Sequence, residues 1–202
     1  MQQYDFLAIG DTVIDAFIQL DQEGARLQLD HGQREICLRF GDKIPYKEVY
    51  VISAVGNSAN ASISAARLGV TAALVTNLGG DRYGEECLEV FRKEGVSTEF
   101  IKIHKDQKTN YHYVLWYGDE RTILVKHEQY DYSLPDIGEP KWVYLSSLGG
   151  NSGQFHTAIE EYLSEHPSIN LAFQPGTFQI ALGKEKLSGM YRRSRAFFCN
   201  KE

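Results

Sequence analysis

Apolar residues near the amino terminus recur with the period of β-strands. Residues 4–10 form a short apolar run that ends at a glycine, which predicts a buried first strand. Three further strand-like segments follow, separated by polar or glycine-containing stretches, at residues 15–20, 25–29 and 35–40. The apolar positions of the last two keep a period of two, at Leu27, Leu29, Ile36, Leu38 and Phe40. We therefore predict a small antiparallel sheet with one covered face.

The period of the apolar residues changes after this region. Small and apolar residues at residues 57–68 have helical spacing, and residues 71–76 form a short apolar run typical of a buried strand. Asp81 predicts the N-cap of a second helix that extends to residue 94. One face of this helix carries Tyr83, Cys87 and Phe91. Residues 98–103 are again strand-like, so strands and helices alternate.

A predicted hairpin, residues 110–117 and 121–126, interrupts this alternation. The pattern then resumes with strands at residues 142–145, 169–173 and 195–199, and with helices at residues 152–165 and in part of residues 184–191. Such alternation predicts a parallel sheet with helices on both faces. Because these sheets usually cover both faces, and the last strand is followed by few residues, we expect the chain to be the front part of a larger fold.

Charge and cysteine content exclude some classes of partner. The chain of 202 residues has 21 Lys+Arg against 27 Asp+Glu, a net charge of −6, which argues against a nucleic-acid-binding domain. Its three cysteines, Cys37, Cys87 and Cys199, are far apart and form no CxxC pair, which fits a reducing compartment. No apolar stretch approaches the roughly 20 residues of a membrane helix. We expect a cytoplasmic protein with no nucleic-acid or membrane partner.

Several familiar catalytic patterns are absent. The glycines of residues 79–84 do not have the spacing of a dinucleotide fingerprint, and Glu85 follows where a P-loop needs lysine. We interpret this segment as a tight strand-to-helix turn that Asp81 caps. The six histidines show no metal-ligand spacing, and there is no G-x-S-x-G motif. Metallohydrolase and serine-hydrolase chemistry are therefore not supported.

Two segments could bind a ligand. Residues 55–60 open a helix, and its N-terminal N–H groups attract oxygen atoms. Asn60 offers both a donor and an acceptor to a sugar hydroxyl, although Asn57 could be only a helix cap and Asn60 could face water. Asp15, four residues after Asp11, would lie at the carboxyl end of the first strand segment, where open α/β sheets bind ligands. There it could accept hydrogen bonds from two neighbouring hydroxyls of a sugar, or it could be a solvated turn residue.

In combination, these segments resemble the ribokinase-like (PfkB) family of carbohydrate and nucleoside kinases. Residues 10–15, GDTVID, look like the first strand with its substrate-binding aspartate. Residues 55–69 resemble the first family signature, GGxxxN followed by a helix that ends in LG. Residues 80–84 match the G-D-x-x-G turn, and residues 174–177 resemble the D/N-P-x-x strand end. Residues 200–202 look like the start of the N-x-x-E motif.

The resemblance implies a fold and an assembly. The fold would be one incomplete ribokinase-like α/β domain over residues 1–202, with a doubly wound, mostly parallel sheet, helices on both faces and the C-terminal part missing. A small antiparallel β lid would be inserted from about residues 15–53 and 109–127. The apolar lid face would either form a homodimer or cover the sugar.

The resemblance also implies site residues. The sugar would be bound by Asp15, Gly56, Asn57 and Asn60, and from the lid hairpin by Asn110 and Tyr111 or His112. Asn200 would help to order water bound to the metal. One departure affects this site, because Val55 stands where the family has its first glycine.

The family's catalytic segment has no counterpart in the sequence. Its second signature, D-T-x-G-A-G-D, is absent, and its last aspartate is the base that deprotonates the acceptor hydroxyl. We expect this base beyond Glu202, together with the nucleotide pocket. ATP and Mg²⁺ would therefore serve the complete protein, and neither is expected to bind well to this chain.

These observations lead to one functional hypothesis and two alternatives. The chain would be the acceptor-binding part of an ATP-dependent kinase that phosphorylates a hydroxymethyl group of a sugar or nucleoside, and it would be inactive alone. The first alternative is a non-catalytic or regulatory protein that binds a sugar or nucleoside. The second is an assembly fragment whose exposed sheet edge pairs with another chain. The sequence does not identify the sugar or nucleoside.

Overall fold

The computed structural model describes residues 3–21 and 23–199. Its strands are β1 (Phe6–Ile9), β2 (Val13–Leu20), β3 (Ala25–Asp30), β4 (Gln33–Leu38), β5 (Tyr46–Val55), β6 (Ala72–Gly79), β7 (Ile101–His104), β8 (Asn110–Tyr117), β9 (Glu120–Leu124), β10 (Trp142–Leu145), β11 (Asn170–Phe173) and β12 (Ser194–Phe197). Its helices are α1 (Asn57–Arg67), α2 (Arg82–Lys93), α3 (Gly153–Glu165), α4 (Thr177–Leu182) and α5 (Ser188–Arg193).

The chain divides into two compact units. The first unit contains the described parts of Met1–Val13, Ser53–Asn110 and His127–Glu202. The second contains the described parts of Ile14–Ile52 and Tyr111–Lys126.

A six-stranded parallel sheet forms the centre of the first unit. Its strand order is β12-β11-β10-β1-β6-β7, and each neighbouring pair runs parallel. Leu7 and Ile9 of β1 face a hydrophobic core that includes Phe155 and Ile159 of α3. Ala8 points to the opposite face and is fully buried, and α1 contacts β1 and β6. This confirms the predicted doubly wound sheet flanked by helices.

Helix α2 follows the sequence prediction closely. Asp81 is its N-cap, and the carboxylate accepts a hydrogen bond from the backbone N–H of Gly84 at 3.0 Å. Cys87 and Phe91 are fully buried on its inner face. The helix therefore packs through the apolar stripe that the sequence predicts.

The second unit contains two separate small sheets. One has the strand order β5-β2-β8-β9, and β8 pairs antiparallel with β9. The other is a two-stranded ribbon, which we call the β3–β4 ribbon, with Leu27 opposite Ile36. Its apolar face is largely exposed, since Leu29 is 71% accessible and Phe40, just beyond β4, fully so.

The structure differs from the sequence prediction in three elements. The early strands were expected to form one sheet with a covered face, but β2 joins β5 and β8 while β3 and β4 pair only with each other among the described residues. Strand β5 was not predicted, because most of its residues are exposed and its apolar and polar residues do not alternate. Helix α4 was not predicted either, because it has only six residues and follows Pro175-Gly176.

The burial of Cys87 leads to a prediction about thiol reactivity. Burial raises the pKa of Cys87 to about 12, and the hydrogen bond that its sulfur accepts from the Ala54 N–H offsets only part of this. Cys199 is exposed and Cys37 is half-buried. We expect iodoacetamide at pH 8 to modify Cys199 at least about a hundredfold faster than Cys87 in the native protein. Peptide mass spectrometry measures both rates.

Unfolding provides the control for this measurement. In guanidinium chloride the three thiols should react at similar rates, because burial no longer raises the pKa of Cys87. Equal rates for Cys87 and Cys199 in the native protein would contradict the packing of α2 against the end of β5.

Candidate functional site

The order of the parallel strands reverses at β1, which lies between β6 and β10. Open α/β sheets bind ligands outside the carboxyl ends of their strands at such a point. The residues that follow β1 are Gly10, Asp11 and Thr12, and all three are buried. We call these three residues the β1 terminus, and they identify the edge of the sheet where a functional site is expected.

The carboxylate of Asp11 is bound by two side chains that follow β9 in the chain. His127 Nδ1 lies 2.8 Å from Asp11 Oδ2, and the Tyr132 hydroxyl donates to the two carboxylate oxygens at 2.9 and 3.0 Å. Burial, together with the charge of Asp11, raises the pKa of Tyr132, so its hydroxyl remains a donor. The sequence analysis did not single out His127 or Tyr132, because they lie 116 and 121 residues from Asp11.

The junction between β5 and α1 has an unusual backbone. Gly56 is the N-cap of α1, with φ of 116°, and a Cβ atom there would lie 2.6 Å from the carbonyl oxygen of Asp11. Ala54 also has a positive φ, of 59°, which is uncommon for a residue with a side chain. Val55 lies between them and is half-buried. The glycine at position 56 is therefore required by a close approach of two chain segments.

The first turn of α1 places its two asparagines at the surface. Asn57 and Asn60 are both exposed, and the N-cap is Gly56 instead of Asn57. Ser58 is fully buried between them, and its hydroxyl donates to the carbonyl of Ile9 at 2.7 Å. This bond fixes the helix start against β1 and leaves both asparagine side chains open to a ligand.

Asn110 is fully buried and both ends of its side-chain amide are hydrogen-bonded. Its Nδ2 donates to the carbonyl of Thr12 at 3.3 Å, and its Oδ1 accepts from the backbone N–H of Glu128 at 2.8 Å. The amide therefore connects the β1 terminus to the segment after β9. This is a backbone-holding role, which differs from the direct sugar contact that the resemblance implies.

Asp15 and His112 lie close together within the second unit. Asp15 Oδ1 is 3.4 Å from His112 Nδ1, and the two side chains are 19% and 11% accessible. The two residues belong to β2 and β8, which are neighbours in the four-stranded sheet. Despite this distance, Asp15 Oδ1 is a buried atom with no hydrogen bond among the described residues. A buried carboxylate oxygen in this state is unfavourable until a donor reaches it.

Tyr111 lies on the other face of β8. Successive side chains of a strand point to opposite faces, so Tyr111 and His112 cannot line the same site. The ring of Tyr111 packs at 5.2 Å from that of Tyr113, two residues along the strand. Of the two lid residues considered from the sequence, only His112 shares a face with Asp15.

Two segments that match family motifs have structural roles here. The Asp81 carboxylate accepts hydrogen bonds from Gly84 and from the backbone and hydroxyl of Thr109, which connects α2 to the start of β8. Burial alone would raise the pKa of Asp81, but these hydrogen bonds outweigh it and hold the pKa below its ordinary value. In the other segment, Gly176 packs against Ser147, where a Cβ atom would lie 2.1 Å from the serine hydroxyl.

The described residues contain no group of three or more His, Cys, Asp or Glu side chains that could hold a metal ion. Asn200, which the resemblance implies near the metal, lies outside the described residues. Within residues 3–21 and 23–199, no helix is long and apolar enough to cross a membrane.

Comparison with known proteins gives relatives for parts of this sequence. Mouse ribokinase is 33% identical over 70 residues, which cover 35% of this chain and 22% of the relative. The Methanocaldococcus jannaschii nucleoside kinase, described as an archaeal member of the ribokinase family, has a TM-score of 0.71 at 12% identity and covers 100% of this chain. Arabidopsis thaliana ribokinase, complexed with ribose and ATP, has a TM-score of 0.63 at 16% identity and covers 87%.

These relatives are longer than the chain. The chain corresponds to 62% of the nucleoside kinase and 54% of the Arabidopsis ribokinase. The structural similarities confirm the ribokinase fold, and the sequence model of the pfkB carbohydrate kinases matches residues 26–161. That range includes Gly56, Asn57, Asn60 and His112 but begins after Asp15. Because the match spans more than half of the residues, the chain belongs to the pfkB family of carbohydrate kinases.

Proposed function

We propose that the chain binds a sugar or nucleoside and presents its hydroxymethyl group for phosphorylation by ATP. Family membership supports phosphoryl transfer to a sugar or nucleoside as the class of reaction. The relatives with solved structures are longer, so the reaction of the whole protein is part of this proposal.

The observation that carries the proposal is the buried Oδ1 atom of the half-buried Asp15 carboxylate. Its Oδ1 has no hydrogen bond among the described residues, although the side chain is only 19% accessible. A sugar hydroxyl would donate to this oxygen and remove the cost of leaving it unsatisfied. Residues 10–15 also resemble the family's first strand, in which Asp15 would be the substrate-binding aspartate.

The other residues that we propose to bind the acceptor molecule are chosen by their exposure and by the strand face on which they lie. Asn57 and Asn60 are exposed in the first turn of α1, where free N–H groups and side-chain amides can bind hydroxyl oxygens. His112 is preferred to Tyr111 because it lies on the same face as Asp15. Asn110 acts indirectly, by holding the backbone of Thr12 and Glu128.

These residues would perform the positioning half of phosphoryl transfer. Phosphoryl transfer depends mainly on holding the acceptor oxygen in line and on stabilising charge, and ATP with Mg²⁺ would supply the phosphoryl group and neutralise its charge. The second family signature, whose last aspartate would be the base, is absent from the sequence. We therefore assign this chain the binding and orientation of the acceptor and no step of the transfer.

We also propose a cytoplasmic location. Cys37, Cys87 and Cys199 are free thiols, and none of them forms a disulfide, which supports a reducing compartment.

Asp15→Asn tests the acceptor site. The asparagine keeps the shape of the side chain but replaces one acceptor oxygen by a donor and removes the charge. We expect the affinity for ribose, fructose or adenosine, whichever binds best, to fall at least about a hundredfold, because hydrogen bonds to a charged group contribute about 1.5–3 kcal/mol each. Isothermal titration calorimetry measures the affinity.

Asp119→Asn is the matched control for this test. Asp119 is an exposed residue in the turn between β8 and β9 of the same unit, so its replacement should leave the affinity unchanged. Unaltered acceptor affinity in Asp15→Asn would contradict the proposed site.

Incubation with ATP, Mg²⁺ and each acceptor tests whether this chain is active alone. We expect acceptor binding without ADP formation above the rate without protein, because the second family signature, which would supply the base, is absent from the sequence. A coupled assay measures ADP, and calorimetry with ATP tests nucleotide binding. ADP formation that depends on the acceptor would contradict the prediction that this chain is inactive alone.

The exposed apolar face of the β3–β4 ribbon leads to a proposal of a homodimer. Leu29 is 71% accessible and lies on the same face as Leu27. We expect a concentration-dependent mass in analytical ultracentrifugation, and Leu29→Lys should weaken association at least about tenfold, since it introduces a charge into an apolar contact.

Leu68→Lys is the control for dimerisation. Leu68 is 82% accessible and belongs to the first unit, so it changes the same residue type at a different surface. A mass that stays monomeric at every concentration, or an equal effect of both substitutions, would refute the ribbon as the interface.

A further inference from the structure

The chain passes between its two units four times. The passages follow Val13, Ile52, Asn110 and Lys126. The first three passages lie within β2, β5 and β8, and the fourth follows β9.

Three of the four passages carry proposed acceptor residues. Asp15 follows the first passage closely, Gly56 and Asn57 follow the second, and Asn110 and His112 flank the third. The fourth passage begins with His127, which none of the sequence motifs includes. His127 is therefore the residue at these passages for which the proposed acceptor site gives no function.

Side-chain hydrogen bonds within the first unit connect the passages. His127 Nδ1 lies 2.8 Å from Asp11 Oδ2, which joins the fourth passage to the first. Asn110, at the third passage, is hydrogen-bonded to the first passage through the Thr12 carbonyl and to the fourth through the Glu128 N–H. At the second passage, Gly56 lies against the Asp11 carbonyl so closely that a Cβ atom would be 2.6 Å from it.

These bonds are formed out of contact with water. The side chains of Asp11 and His127 are 2% and 8% accessible, and Asn110 is fully buried. A buried polar group that loses its partner has no water to replace it, so each bond holds its geometry firmly. Without His127, the Asp11 carboxylate would still accept hydrogen bonds from the Tyr132 hydroxyl. We therefore expect the chain to fold when His127 is replaced, so that the effect on the β1 terminus can be measured.

We propose that His127 is a positioning residue for the acceptor site. Through the carboxylate of Asp11 it fixes the β1 terminus, from which β2 and Asp15 continue, and together with Asn110 it fixes the start of β8, which carries His112. The predicted effect on the acceptor rests on the proposed function, whereas the effect on the backbone does not.

His127→Ala and His127→Asn test the proposal. Alanine removes the donor, whereas the asparagine amide nitrogen can occupy the place of Nδ1 and donate to Asp11. Hydrogen exchange with mass spectrometry measures protection of the amides in residues 11–15 and 110–112, and calorimetry measures binding of ribose and adenosine. We expect His127→Ala to speed exchange in both segments and to lower acceptor affinity by about tenfold or more, with recovery to within about threefold in His127→Asn.

His166→Ala is the matched control. His166 Nδ1 lies 2.8 Å from the Tyr162 carbonyl at the end of α3, away from the four passages, so its loss removes one histidine hydrogen bond elsewhere in the same unit. It should leave exchange in residues 11–15 and 110–112 and the acceptor affinity unchanged.

The outcomes separate this inference from the proposed function. Faster exchange confined to residues 127–132, an equal effect of His166→Ala, or no recovery in His127→Asn would overturn the positioning role. Unchanged acceptor affinity in His127→Ala would also overturn it. If the unsubstituted chain binds neither ribose nor adenosine, the proposed acceptor is wrong, and the exchange measurement alone still decides whether His127 holds the β1 terminus.

Discussion

The burial of one carboxylate, that of Asp11, constrains the whole carboxyl end of β1. A carboxylate removed from water must be met by donors, and here His127 and Tyr132 provide them. The segment after β9 has to run beside β1 for these donors to reach Asp11. That course places the Glu128 N–H against Asn110, and Asn110 in turn against the Thr12 carbonyl. The cost of burying one charge therefore organises three segments that are distant in the sequence.

The fold could be predicted for those elements whose buried residues form a recognisable pattern of apolar positions in the sequence. Buried strands contain short apolar runs, such as residues 72–75 of β6, and α2 has an N-cap followed by an apolar stripe of helical spacing. Strand β5 gives neither signal, because its residues are mostly exposed and it is held by pairing with β2. Helix α4 is too short for a period to appear. Local patterns therefore predicted the buried sheet and missed elements that depend on neighbours.

The candidate site was predictable only in part, for a related reason. Motifs identified Asp15 and Gly56, because each lies in a short segment with a recognisable order of residues. The alternation of side chains along β8 already separates Tyr111 from His112, and that signal was available in the sequence. No local signal pointed to His127, since its partner Asp11 lies 116 residues away. Contacts between distant residues need the fold before they can be recognised.

The backbone of the β5–α1 junction gives a reason, independent of any motif, to regard this region as functional. Ala54 at φ 59° is in a conformation that costs of order 1 kcal/mol or more for a residue with a side chain. The surrounding structure maintains it, through the hydrogen bond from the Ala54 N–H to the Cys87 sulfur and the contact of Gly56 with the Asp11 carbonyl. Val55, between two residues of positive φ, needs no such backbone itself. Because Val55 itself has no positive φ, the fold tolerates a side chain at position 55, whereas the close approach to Asp11 requires glycine at position 56.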